Sequence, residues 1–346
     1  MGFLHKVLKK IQRAKDTAVA DTSSRVIAVD IGQSHFLVLS AEKGEKINIS
    51  DFHLEPRPSG PEAISNRIKT LFTEKKLESE NVRTLLKSSG MIVRILKFPQ
   101  MKRQELTSML QFEVEKYIPF KTNEVILDFD VLEEEIEEAG KKQMEILLVA
   151  VKRSEVYEAH QLFEKAGIQV AMINIGAASL INMIEFLSPE IRNQTTAFLE
   201  MGAESTTFGI LLKGKPVFIR DISFGGTDIR KMVKRKLGSE LDTMPGKMTA
   251  EYKAAVEQSL SGLFNELKLS LGYYNDRIPG AQTIETLYVA GGGFRLIPDL
   301  HSIEMQLKIP VVRPQLSSKI EVNPHIDPAF IKQNEDLLLP ALGLCL

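Results

Sequence analysis

One pattern occurs twice in this chain at constant spacing, and it limits the fold more than any other feature. Val26 to Lys46 reads VIAVDIGQSHFLVLSAEKGEK and Thr196 to Pro216 reads TAFLEMGAESTTFGILLKGKP. Asp30 and Glu200, Gly32 and Gly202, and Gly44 and Gly214 each lie 170 positions apart, with no gap between them. Each copy is an apolar strand, an acid-x-Gly step, a short polar turn, a second apolar strand and a glycine turn. A third extended run follows each, Ile47–His53 and Val217–Ser223, so each copy predicts a three-strand antiparallel meander. Repetition on this scale predicts two similar α/β halves facing each other.

Composition removes several functional classes. The 346 residues carry 44 Lys plus Arg against 45 Asp plus Glu, a net charge of −1, so no global field favours a nucleic-acid backbone and none is expected as a partner. A single cysteine, Cys345, excludes an intramolecular disulfide and a thiolate zinc cluster, and the six histidines are scattered. No apolar run approaches the roughly 20 residues of a spanning helix. The closing Leu337–Leu346 stretch is short and broken by Pro340. At the other end, Phe3, Leu4, Val7, Leu8 and Ile11 recur at helical spacing among five basic residues. Those lysines exclude a signal-peptide core, and residues 1–15 read as a basic amphipathic leader capable at most of peripheral contact with an anionic membrane. The expected location is cytoplasmic, with any membrane contact peripheral.

The repeated hairpins carry the chemistry. Glycine in a tight turn brings backbone N–H groups close to phosphate oxygens. The neighbouring acid can hold magnesium through water. A third element follows, where the short strand Leu287–Ala290 runs into Gly291, Gly292 and Gly293 and lets a flat or polar group reach the backbone. Three elements in this order select Asp30, Gly32, Gln33, Ser34, Gly202, Ser205, Thr206, Gly291, Gly292 and Gly293 as cofactor-binding, with Asp30 and Glu200 as the catalytic and metal-holding acids. No HExxH, CxxC, Walker lysine or GxSxG motif occurs.

On these residues the chain resembles the actin-like ATPase superfamily. VDIGQSH is similar to its first phosphate loop, LEMGAESTT to its second and VAGGGF to its adenosine loop. Within that superfamily RILKFPQMKRQEL, FEVEKYIPF, IRDISFGG and the closing ALGL resemble, in order, the type IV pilus assembly protein PilM family, over about residues 25–346. The resemblance implies duplicated ribonuclease-H-like halves with an inserted small α/β subdomain. The division expected is a leader and linker at 1–24, a first half at 25–90, the insert at 91–167 and a connecting helix at 168–194. A second half at 195–324 and a C-terminal segment at 325–346 packing on the first half complete it. The implied function is a cytoplasmic scaffold of a type IV pilus or type II secretion-like machine that binds the cytoplasmic tail of a PilN-type inner-membrane protein. ATP and magnesium are the implied cofactors, and self-association is left open. Two departures, Glu200 where the family has Asp and Gln33 where it has a small hydroxyl residue, point to weak hydrolysis at most. The family's AE-x-x-K helix is met by Ala250, Glu251 and Lys253, running almost directly into a helix over Glu266–Tyr274. Alternatives of the same superfamily are a sugar or acetate kinase and an FtsA-like division protein. The latter normally carries a C-terminal membrane helix, whereas this sequence stops at Leu346.

The insert has its own physical reading. Pro99 ends a strand, after which Leu106, Leu110, Val114 and Tyr117 make a helical apolar face until Pro119 forces an exit. Strands are expected at Val125–Leu132 and Met144–Val151, flanking an acidic hairpin tip at Glu133–Glu138, then a helix over Ser154–Ala166. Arg94, Tyr117, Pro119 and Phe120 are the candidate partner-binding residues.

Overall fold

The computed structural model describes residues 25–346 apart from 78–80, 87–90, 139, 239–248, 279 and 317. The basic leader and linker expected over 1–24 lie outside the described residues, as does most of the stretch before Ala250.

Three strands, β1 (Arg25–Ile31), β2 (His35–Lys43) and β3 (Ile47–Pro56), form an antiparallel meander in which Asp30 pairs with Leu37. Strands β4 (Val82–Leu86) and β8 (Val170–Ile175) extend the sheet in parallel from the β1 side, and β14 (Ile320–Val322) adds to β3. The second sheet repeats this order. Its meander is β9 (Thr195–Met201), β10 (Thr206–Leu212) and β11 (Lys215–Ile222), and β12 (Thr286–Ala290) and β13 (Val311–Val312) continue it in parallel from β9. The central strands β1 and β9 are flanked on both sides and almost fully buried, which is why they read as unbroken apolar runs rather than as alternating ones.

A third sheet, in the order β5 (Ile92–Pro99), β7 (Lys141–Lys152), β6 (Val125–Glu138), is entirely antiparallel. Helix α2 (Arg103–Glu113) covers one face of it, after α1 (Pro61–Glu74) in the first half. Leu106, Leu110 and Val114 reach the core as their spacing requires, although the last turn, Val114–Lys116, tightens to a 3₁₀ helix. The acidic run is not a loop at the hairpin tip. Strand β6 continues through it because lysines stand opposite, Glu137 against Lys142, with a Lys142–Glu135 ion pair of 2.7 Å and a Lys215–Glu133 pair reaching the second half.

Helix α3 (Arg153–Lys165) leads out of this sheet, and α4 (Gly176–Leu187) follows β8. In the second half come α5 (Gly226–Leu237), α6 (Ala250–Arg277) and α7 (His301–Leu307), and the chain closes with α8 (Pro328–Gln333) and α9 (Glu335–Gly343). The helix expected over Glu266–Tyr274 is therefore the second part of a 28-residue element that begins at Ala250. Thr249 starts it, its hydroxyl accepting from the Tyr252 amide at 3.2 Å. Helix α9 lies in the first-half core with Leu338, Leu339, Ala341 and Leu342 buried. Its backbone passes so close to α4 that a side chain at Gly343 would overlap the Ser179 carbonyl.

Candidate functional site

A cavity of about 1450 Å³ opens where the two repeated hairpins converge. Gly32, Gln33, Ser34 and His35 line it from the first half. Gly202, Ser205, Thr207, Asp221, Gly226, Arg230 and Tyr252 line it from the second, with Gly292, Gly293 and Arg295 beyond β12. Lys332, Glu335 and Asp336, from α8 and α9, close another side. Most of the residues selected from sequence thus share one cavity, and three do not line it.

Thr206 is the first exception. It is fully buried and its hydroxyl donates to the Phe224 carbonyl at 2.7 Å. Strand alternation turns the next residue to the cavity, so Thr207 lines it, with its hydroxyl 2.6 Å from Asp221 Oδ1. Gly291 is the second. Its φ is +95°, a Cβ there would overlap the Met201 carbonyl, and its amide donates to Asp336 O at 2.8 Å. A side chain at Gly293 would meet that of Met201, and one at Gly292 would come within 2.8 Å of Leu337 Cδ2. This glycine run lets the loop after β12 seat against the end of β9 and against α9, a packing need as much as a ligand need.

Asp30 is the third, and its environment separates it from Glu200. Its residue is 1% exposed, and His35 lies over it with Nε2 3.2 Å from Oδ2. The imidazole folds back onto Gly32 so closely that a Cβ would overlap the ring. Glu200 does line the cavity, and its Oε2 stands 2.9 Å from where a Cβ on Gly176 would be, so the longer side chain finds room because α4 starts with glycine. Among the described residues no three His, Cys, Asp or Glu side chains are grouped to hold a metal ion. The magnesium expected at Asp30 and Glu200 does not fit this arrangement, since one acid is covered by an imidazole.

The far side of the cavity ties the halves together. Arg313 Nη1 lies 3.4 Å from Asp336 Oδ2 and its Nη2 donates to the Phe294 carbonyl at 3.3 Å, while Arg295 donates to Asn334 Oδ1 at 3.1 Å. Burial raises the Asp336 carboxyl above its usual range, against the opposing charges of Arg313 and Arg295. Of the AE-x-x-K residues, Glu251 and Lys253 are exposed and Tyr252 between them lines the cavity, its hydroxyl donating to Leu296 O at 2.8 Å. Burial raises that phenol as well.

In the third sheet, Arg94 is exposed and stands on the same face of β5 as Ile92, Leu96 and Phe98. Tyr117 packs edge-on against Phe98 at 5.5 Å between ring centroids, and the Lys152 ammonium sits 5.4 Å from the Phe120 centroid. Tyr117 and Phe120 are half-buried in the insert's own core, whereas Pro119 is exposed. Phe112 on α2, 84% exposed, was not selected from sequence; two residues past Leu110, it falls off the Leu106, Leu110 and Val114 stripe and on the opposite side of the helix.

Two sheets of one strand order, joined by a C-terminal helix and facing each other across a cleft lined by both hairpins, define an actin-like fold. The family model of the type IV pilus assembly protein PilM matches residues 23–346, and the chain belongs to that family. It is similar to a solved PilM–PilN type IV pilus biogenesis complex, with 23% identity and a TM-score of 0.79 over 92% of this chain and 97% of that one. It is also similar to the ethanolamine utilization protein EutJ from Carboxydothermus hydrogenoformans, with 11% identity and a TM-score of 0.53 over 99% and 96%. These matches do not favour a small-molecule kinase or an FtsA-like protein. No helix among the described residues is long and apolar enough to cross a membrane.

Proposed function

We propose that this chain is a nucleotide-responsive scaffold of pilus assembly that binds the short cytoplasmic tail of a PilN-type membrane protein. The observation that carries the reading is the pairing, in one molecule, of a cleft built by two diverged copies of one hairpin with an added sheet that such a cleft does not require. The tail reading rests on family membership and on the likeness to a PilM–PilN complex. Strand β5 is an edge of its sheet, paired with β7 and lying beside β11 of the second half, and carries exposed Arg94, while exposed Phe112 and Pro119 lie on and after α2. An extended peptide gains affinity from backbone pairing to such an edge and from apolar anchors beside it. The opposite edge is less receptive: Asp128 and Asp130 accept the outward amides of Phe129 and Val131, at 2.9 and 3.0 Å, and Arg103 donates to Phe129 O.

Titrating a labelled tail peptide by fluorescence anisotropy tests the partner. Arg94→Glu should weaken binding by about 1–3 kcal/mol while leaving the melting temperature unchanged. Equal affinity in a folded Arg94→Glu protein removes this face from the interaction. For the cleft, ATP should raise the melting temperature and Arg295→Glu should abolish the rise. No rise at millimolar ATP counts against a nucleotide site. Hydrolysis is slow in this reading, because Glu200 is braced by α4 in the cleft wall.

A further inference from the structure

Two buried acids stand on the face of the inserted sheet that meets the rest of the molecule. In β6, Leu127, Phe129 and Val131 join the core under α2, while Ile126, Asp128, Asp130 and Leu132 turn the other way, where Ile126 and Leu132 pack on the first-half core. The strand register agrees. Asp128 stands opposite Val149 of β7 and, beyond it, Val93 of β5, and Asp130 stands opposite Leu147 and then Ile95. Val93, Leu147 and Val149 all belong to that first-half core. The two acids are only 5% and 2% exposed. One oxygen of each accepts the amide of the following residue, and Oδ2 of each has no hydrogen-bond partner among the described residues.

The charges around the pair do not offset this burial. Arg103 of α2 reaches the open edge of β6, donating to Phe129 O with its guanidinium 4.6 Å from the Phe129 ring centroid, and favours the ionised form of both acids from there. Each acid disfavours its neighbour, Asp130 acting on Asp128. On the same face of β7 and β5 the ionisable groups are Glu145 and Lys97, which stand opposite each other two residues beyond Leu147 and Ile95, and Lys215 of β11 pairs with Glu133. Helix α3 carries His160 on the stripe that buries Val156 and Phe163, and Glu124, in the turn before β6, is exposed. Burial wins, raising Asp128 to about 7 and Asp130 to about 6, so the folded protein holds both neutral at pH 5 and ionised at pH 8.

A buried carboxylate with an oxygen left unpaired lacks its hydration, and it recovers that hydration only when water reaches the face it occupies. Strand β6 is the part that opens most readily, since it is an edge strand hydrogen-bonded to β7 alone. We infer that Asp128 and Asp130 form a proton-dependent latch: neutral, they seat the edge of the inserted sheet on the rest of the molecule, and ionised, they loosen that edge while the two main sheets hold. The latch depends on neither the nucleotide reading of the cleft nor the tail reading of the β5 edge.

Hydrogen exchange resolved by strand on the intact protein, corrected for the intrinsic effect of pH on amide exchange, tests the latch. From pH 5 to pH 8 the opening of β6 should increase at least about ten-fold, because the closed state binds protons that the open state releases. At pH 8 low denaturant should not accelerate that opening, as befits a local event that exposes little surface. Combining Asp128→Asn with Asp130→Asn should remove the increase, since the amide oxygens keep the bonds to Phe129 and Val131 and carry no charge. In the parent, the carboxyl carbon resonances of both acids should titrate above pH 5, a readout that needs no variant to fold. The latch is overturned if β6 amides exchange only together with those of β9 and β10, if the increase survives in the double variant, or if both carboxyls titrate near the ordinary 3.8.

Discussion

The two hairpins began as one pattern and end in different states. In the first, the acid is sealed beneath an imidazole and the glycine makes room for that ring. In the second, Glu200 opens onto the cleft, and the loop is wired to its surroundings: Gly202 N donates to Ser205 O at 2.8 Å, and the first amides of α5, at Gly226 and Thr227, donate to Gly202 O and Ala203 O at 3.0 and 2.7 Å. Asp228 caps that helix by accepting from Gly225 N at 3.0 Å. The second loop is thus fixed by backbone hydrogen bonds, whereas the first turns the side chain of His35 back onto its own acid. A shared motif fixed the placement of the loops, and the contacts added to each decided which acid opens onto the cleft.

The sharpest way to break this comparison is to add the same methyl group on both sides. Gly291→Ala should cost about 3 kcal/mol or more, because a Cβ meets the Met201 carbonyl at a positive φ and neither backbone segment can give way. Denaturant unfolding followed by circular dichroism measures it.

The inserted sheet offers buried acids with no histidine over them, and the next largest effect belongs there. Burial pushes Asp128 to about 7 and Asp130 to about 6 from an ordinary 3.8, and one carboxylate oxygen of each lacks a hydrogen-bond partner. With raised values in the folded state, folding takes up protons, so stability falls as pH rises from about 4 toward 7. Asp128→Asn keeps an acceptor for the Phe129 amide and removes the charge. It should stabilise the protein by about 2 kcal/mol at pH 8, with the gain gone below pH 4, as melting curves across that range would show.

Within the second hairpin, Thr206→Val should cost about 1 kcal/mol through the lost bond to Phe224 O and leave ligand binding intact. Thr207→Val should do the reverse, altering ATP affinity with little change in stability. The smallest effect closes the comparison on the first side: Gly32→Ala should cost under about 1 kcal/mol, because the obstacle is a ring that can swing away.

Much of the architecture was legible because it rests on local patterns. Unbroken apolar runs mark β1 and β9, glycine turns mark the meanders, and the period of Leu106, Leu110 and Val114 marks α2. Where the reading failed, the deciding contact came from elsewhere in the chain. The acidic run joined β6 because lysines lie across from it, and the helix read over Glu266–Tyr274 begins at Ala250, with Ala255, Val256, Leu260 and Leu263 keeping one buried face through its earlier turns. Either threonine of the second hairpin fits the motif, and only the strand's phase in the sheet sends Thr207 to the cleft.

By itself the sequence determined the duplication, the placement of the hairpins at the cleft and the family, because spacing along the chain survives folding unchanged. Tertiary structure alone decided which groups meet across distance: Asp336 with Arg313 and Arg295 at the seam, Glu200 with the start of α4, and His35 over Asp30. The physical reason is that a side chain's chemical role depends on what covers it and what it can reach. Burial and reach are properties of packed surfaces, and packed surfaces are assembled from residues far apart in the chain.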